Sequence, residues 1–290
     1  MEYAQVGTRA VLALGVGAGL AILLPIALML IWKFAKHERF TTILVGALTF
    51  LLFAIVLEKP LQSLLLFPTQ LGLKDTPASL FFNARPWLLA LMTGLFPGVF
   101  EETGRLVAFK TVLRKRKNRE TSISYGIGHG GVEVMYILGA TYITYIVYAA
   151  MINTGTFGTV VEQAAAVAPQ QAEALKSVAD QIAGLALADI GLGFVERIFA
   201  VLFHIGASIL VFYACRDKGR FWLYPQAILL HTALDFVAAL YIFQIVAISP
   251  WALEAIVAVF GVLTFGLAYL LLYKKDKAEP EQPAVEVPSV

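Results

Sequence analysis

Apolar residues run along this chain in long blocks rather than alternating. The blocks cover roughly 9–32, 41–57, 86–110, 121–150, 185–213, 221–246 and 250–273. Each is 17 residues or longer, the length a helix needs to cross a bilayer. The pattern predicts an all-α fold, a polytopic bundle of seven spans forming one domain over 1–275. "LQSLLLF" in 61–67 is apolar but too short to span, so 60–83 has room for an eighth, short helix. The N-terminal block lacks the basic start of a cleaved leader and reads as a first span.

Two connecting segments have a pattern of their own. In 151–184, Leu175, Val178, Ile182 and Leu185 recur at helical spacing after Pro169. This predicts an amphipathic helix on the extracytoplasmic surface. The end of the chain, 276–290, is rich in Pro, Glu and Lys and predicts a disordered cytoplasmic tail.

Composition agrees. Hydrophobic residues make up 59% of the 290 and charged residues only 14%, with a mean hydropathy of +0.77. The single cysteine, Cys215, excludes an internal disulfide and a cysteine-based zinc site. Charge placement is more informative than the net +2. Fifteen Lys and Arg lie in one set of alternate loops and the tail, among them Lys33, Arg116, Arg216 and Lys274, whereas five lie on the other side. The positive-inside rule then predicts N-terminus out and C-terminus in, a multi-pass protein of the plasma membrane. Membrane lipid is the expected surrounding, and no nucleic-acid partner is expected.

The remaining charges fall inside the spans, where each costs several kcal/mol and marks function. Span three holds Glu101, Glu102 and Arg105. Span four holds His129 and Glu133. Span five holds Asp189, Glu196, Arg197 and His204, and span six His231 and Asp235. At the helical rise, Glu101 lies about 14 Å from the basic boundary, His129 about 15 Å, His231 about 17 Å and His204 about 18 Å. Four helices therefore contribute to one layer near mid-membrane. Glu101 and Arg105, His129 and Glu133, and His231 and Asp235 are each one turn apart. Pro97, one turn before Glu101, predicts a kink that frees a carbonyl and admits water. Glycines 126, 128, 130 and 131 allow close approach around His129.

Carboxylates and histidines in such a layer suit hydrolysis. A glutamate takes a proton from water, and histidines bind a metal or stabilise an oxyanion. The chain has no HExxH and no GxSxG. Ser208, one turn from His204, reads as a structural hydroxyl, and Asp189 reads as solvated near the outer boundary.

Glu-Glu-x-x-Arg at 101–105, Tyr125-x-x-x-His129, His204 and His-x-x-x-Asp at 231–235, in this order on successive helices, resemble the superfamily of CAAX prenyl proteases and bacteriocin-processing enzymes. The closest likeness is to its YhfC-like branch of membrane peptidases, through "GHGGVE" at 128–133 and the set Glu196, Arg197 and His204. The resemblance spans about 85–245. It implies an intramembrane endopeptidase acting on a membrane-anchored peptide or protein. Glu101 or Glu102 would activate water, with His129, His204 and His231 as catalytic residues or as ligands of a zinc ion. Arg105, Glu133, Glu196, Arg197 and Asp235 would support them. Arg105 comes one residue earlier than in the prenyl-protease pattern and Asp235 stands where Asn is usual, which counts against a prenylated substrate. Two other readings stand beside the protease: a non-catalytic scaffold within an oligomer or partner complex, and an ion- or proton-coupled transporter. The lack of related halves counts against the transporter.

Overall fold

The computed structural model describes residues 3–276, and these are mainly helical with no strand among them. The long helices are α1 (Thr8–Lys36), α2 (Phe40–Phe50), α3 (Lys59–Leu66), α4 (Pro77–Asn83), α5 (Pro86–Lys110), α6 (Glu120–Val134) and α7 (Ala140–Asn153). They are followed by α8 (Phe157–Val167), α9 (Pro169–Gly184), α10 (Leu187–Arg216), α11 (Leu223–Ile242) and α12 (Pro250–Ala268). In lipid a backbone must satisfy its own hydrogen bonds, so apolar runs of this length fold as helices.

Among the described residues six continuous helices are long and apolar enough to cross a membrane: Thr8–Lys36, Phe40–Leu66, Glu120–Asn153, Leu187–Arg216, Leu223–Ile242 and Pro250–Tyr273. That is one fewer than the sequence count. The seventh segment, α5, is a single 25-residue helix that falls short by the same measure. Its inner half carries Glu101, Glu102 and Arg105, all buried.

Span two differs from its sequence outline. It does not stop at 57 but runs to Leu66 through a π-helical turn over Leu51–Glu58. The Lys59 N–H donates to Ala54 O, five residues back, and Pro60, which has no N–H to give, follows without breaking the rod. The short apolar stretch at 61–67 therefore prolongs span two. A separate seven-residue helix, α4, starts on a Thr76–Ser79 capping box with Pro77 at its first turn. A second π-helical turn, Met135–Gly139, joins α6 to α7 just past Glu133. Such turns widen a helix and recur at functional sites.

Small residues set the helix crossings. A Cβ at Gly94 would meet Phe236 N at 2.6 Å and Thr232 O at 2.8 Å, and one at Gly98 would meet Ile228 O at 3.0 Å. α5 and α11 thus cross backbone to backbone at this pair, spaced as small-xxx-small. The glycines around His129 serve α6 in the same way. Gly126 abuts Ile205 of α10, Gly128 abuts Ile43 of α2, and Gly131 abuts Met29 of α1. α6 is thereby packed closely against α1, α2 and α10.

The loops that carry the excess of positive charge meet at one end. Asn118 Nδ2 donates to Glu38 Oε2 at 2.8 Å, Arg216 to Lys117 O at 3.1 Å, and Arg119 to Asp276 O at 2.6 Å. An apolar core with Ile43, Phe109, Leu113, Ile209, Phe212 and Tyr213 fills the bundle just inside that end. At the opposite end Val6 N donates to Asn153 Oδ1 at 2.8 Å, and Gln171 Nε2 to Gln70 O at 3.2 Å. Residues 157–184 fold there as α8 and α9. Ala172, Ala179 and Ile182 of α9 are buried, with Leu175, Val178 and Leu185 packed beside them. Of the tail expected over 276–290, only Asp276 is among the described residues. It is held by Arg216 and by Tyr213 Oη, the latter at 2.8 Å; 277–290 lies outside them.

Candidate active site

Pro97 has no N–H to offer Thr93 O, one turn back. Gln62 Nε2, arriving from α3, donates to that carbonyl at 3.0 Å. The freed carbonyl is therefore satisfied, and α3 is tied to α5 where the helix is interrupted. One turn further on, Glu101 and Glu102 enter the bundle, 6% and 0% exposed.

Glu102 pairs with Arg105 and accepts from His231 Nδ1 at 2.8 Å. Arg105 is among the largest fully buried side chains. It donates from Nε to Ser208 Oγ at 3.3 Å and from Nη2 to His204 Nδ1 at 2.6 Å. A guanidinium can only donate, so His204 Nδ1 carries a lone pair and the ring proton sits on Nε2. His204 Nε2 in turn pairs with Glu133, which also accepts from Arg197 Nη1 at 2.8 Å. Arg197 pairs further with Glu196. Glu101 Oε2 lies 2.9 Å from His129 Nε2 and 4.0 Å from His204 Nδ1. His231 Nε2 is 3.4 Å from Asp235 Oδ2.

All ten candidate residues thus join one connected network from α5, α6, α10 and α11. Several partners differ from the one-turn stripes. His129 meets Glu101 across helices, while Glu133 serves His204 and Arg197. Ser208 accepts from Arg105 and donates to His204 O at 2.7 Å, a structural hydroxyl. Asp189 is exposed and bonds the Ala186 N–H at the start of α10. Sequence reading missed Glu58. It is fully buried, its carboxylate oxygens have no hydrogen-bond partner, and Lys59 Nζ is 3.4 Å away. Placed after "AIVL" and before Lys-Pro, it looked like a loop residue; only the uninterrupted span buries it.

A cavity of about 580 Å³ reaches this network. Glu101, Glu133, Glu196, Arg197, His204, His231 and Asp235 lie on its wall, and Glu102, Arg105 and His129 stand behind it. The π-helical turns of spans two and four contribute wall residues, Ala54 and Ile55 from one and Tyr136 and Ile137 from the other.

The donor set fits a divalent cation. Five carboxylates (Glu101, Glu102, Glu133, Glu196 and Asp235) face two guanidinium groups (Arg105 and Arg197), an excess of three negative charges when all are ionised. Two groups bring ligand atoms within 4.8 Å of one another: Glu101, His204 and His231; and His129, Glu133 and His204. Each contains a glutamate, so neither is the three-histidine set expected from the sequence.

Buried glutamates and histidines around a cavity inside a bundle of membrane helices define a class, a polytopic membrane protein with an intramembrane site whose donors suit a metal ion. The comparisons give the family within it. The model of the YhfC intramembrane metalloprotease family matches residues 20–259, and the chain belongs to that family. It is 31% identical over 260 residues to a Bacillus subtilis (strain 168) protein named uncharacterized membrane protein YhfC, covering 90% of this chain and 95% of that one. No solved structure matches the chain.

Proposed function

We propose that this protein is a multi-pass endopeptidase of the plasma membrane that hydrolyses a peptide bond of a membrane-anchored substrate. In this reading Glu101, His204 and His231 hold a zinc ion. The observation that carries it is the way the two histidines are backed. A metal-binding histidine normally gives its other N–H to a carboxylate, which fixes the tautomer and the ring. His231 does so through Nδ1 to Glu102, and His204 sets Nε2 against the Glu133 carboxylate as an ion-pair contact. That leaves His231 Nε2 and His204 Nδ1 as ligand atoms beside Glu101, and all three residues are on the cavity wall. In the alternative set His129 stands behind the cavity wall, and His204 Nδ1, which would have to give its N–H to a carboxylate, faces a donor, Arg105.

A zinc ion held by these residues would supply Lewis-acid activation of water and of a substrate carbonyl. The protein's own groups supply the rest. His129 anchors Glu101 from behind the wall. Arg105 donates to the His204 lone pair and would have to release it to a bound ion, while it neutralises Glu102. Asp235 is the wall carboxylate next to His231 with the fewest partners, and its side chain is 32% exposed. It accepts a proton from a cavity water and returns it to the leaving amine. Arg197 holds Glu133, and through it His204, in place.

New N-termini in the membrane proteome test the activity. Cells with the native protein should show cleavage ends inside or beside membrane spans that vanish with Glu101→Gln. Ends unchanged by that substitution would overturn the protease reading.

A further inference from the structure

The cavity is one-sided. On every helix it reaches a common depth and stops there. Its innermost residues are Phe50, Glu101, Glu133, His204 and His231. No lining residue lies nearer the basic end: nothing from 102–110 of α5, 120–132 of α6, 205–216 of α10 or 223–230 of α11. Beneath the floor, Glu102 and Arg105 are fully buried, and the Phe109, Phe212 and Tyr213 core closes the bundle. In the other direction the wall continues to the rim at Lys59, Gln70 and Ile242. Gln70 is exposed, Ile242 is 66% exposed, and the Lys59 side chain is 57% exposed.

The closed end is the end where the basic loops meet. Charge placement puts those loops in the cytoplasm. We infer that the site draws water and substrate from the extracytoplasmic side, and that it cuts the outer-half portion of a membrane-anchored protein rather than a cytoplasmic peptide or C-terminus. The inference rests on the protease reading for the word substrate, and on geometry alone for the side of access. The wall also narrows the substrate's chemistry. Phe67 and Phe243 meet at the rim with ring centroids 6.0 Å apart, and Phe50, Tyr136 and Leu234 lie deeper. The wall carboxylates disfavour an acidic segment. The class is an apolar, extended segment, neutral or cationic at its flanks, lying just outside or within the outer leaflet.

Thiol labelling with a membrane-impermeant maleimide tests the access without needing a substrate. In a full-length Cys215→Ser background, Ser63→Cys and Ala238→Cys place probes on the cavity wall. Val167→Cys, 82% exposed, marks the rim end, and Val112→Cys, 69% exposed, marks the basic end. In intact cells the two wall cysteines should label to the extent of Val167→Cys, whereas Val112→Cys should label only after permeabilisation. Labelling after denaturation reports that each variant is present. Wall cysteines that label only together with Val112→Cys, or from neither side of the native protein, overturn the inference. None of these outcomes depends on proteolysis, so failure here is distinct from failure of the proteome test.

Discussion

Glu102→Gln removes one charge and little volume from the floor of the site, and the structure assigns it two separate costs. The first is to the fold. Arg105 has no exposure at all, and Glu102 is its closest ion-pair partner, with Glu101 Oε2 at 4.0 Å. Breaking a buried pair from one side costs about 3–5 kcal/mol. Glutamine still offers an oxygen to Arg105, which places the expected loss near the low end, about 3 kcal/mol. The second, under the proposed metal site, is to the ion. Glu102 takes the Nδ1–H of His231 at 2.8 Å, and losing such a backing carboxylate typically weakens metal affinity by about 10–100-fold. The assays are competition with a chromogenic zinc chelator and monodispersity after heating in detergent. Glu196→Gln is the control. It lies on the same wall but pairs only with Arg197, and its side chain is 34% exposed, so about 1 kcal/mol or less is expected. If Glu102→Gln matches Glu196→Gln in both assays, the idea that Glu102 orients a ligand and compensates Arg105 is refuted.

Two other substitutions probe the scaffold. Gly98→Val should separate α5 from α11, because a Cβ there already meets Ile228 O at 3.0 Å and Thr232 N at 3.1 Å; the measurable result is loss of zinc binding in whatever protein still inserts, and unchanged binding would refute the close crossing. At the basic end, burial acts to raise the Asp276 carboxyl, but hydrogen bonds from Arg216 and Tyr213 and the charges of Arg216 and Arg119 outweigh it and hold the pKa below the usual carboxylate range. A depressed folded pKa contributes stability above the unfolded value of about 3.9 and loses it as pH falls through the folded value. Asp276→Asn should therefore lower heat stability at pH 7 by about 1 kcal/mol or less, with the difference from the native protein shrinking below about pH 4; an equal difference at both pH values would refute the latch.

Hydropathy made the helical bundle legible, because lipid forces helices on any apolar run of sufficient length. It could not show that span two continues past Pro60. A π-helical turn absorbs that proline, and its register is a tertiary accommodation with no local signature. The same blind spot hid Glu58. The candidate layer could be drawn from rise per residue alone, since Glu101, His129, His204 and His231 count to similar depths from the basic ends. Partner choice could not. The i, i+4 rule names neighbours on one helix, while rotation of each helix in the bundle decides which neighbour a side chain meets. His129 is one turn from Glu133, yet rotation of α6 toward α5 gives it Glu101 and leaves Glu133 to α10. The glycine-lined crossings that set these rotations were legible as composition, but not as particular pairs such as Gly126 with Ile205.

The central claim is that Glu101, His204 and His231 hold a catalytic metal. Metal content of the purified full-length protein, measured by elemental analysis on native and substituted chains, tests it most directly. The account predicts about one zinc per native chain, lost in Glu101→Ala and in His231→Ala, and kept in His129→Ala. Zinc that persists in His231→Ala, or that depends on His129 instead, would contradict it.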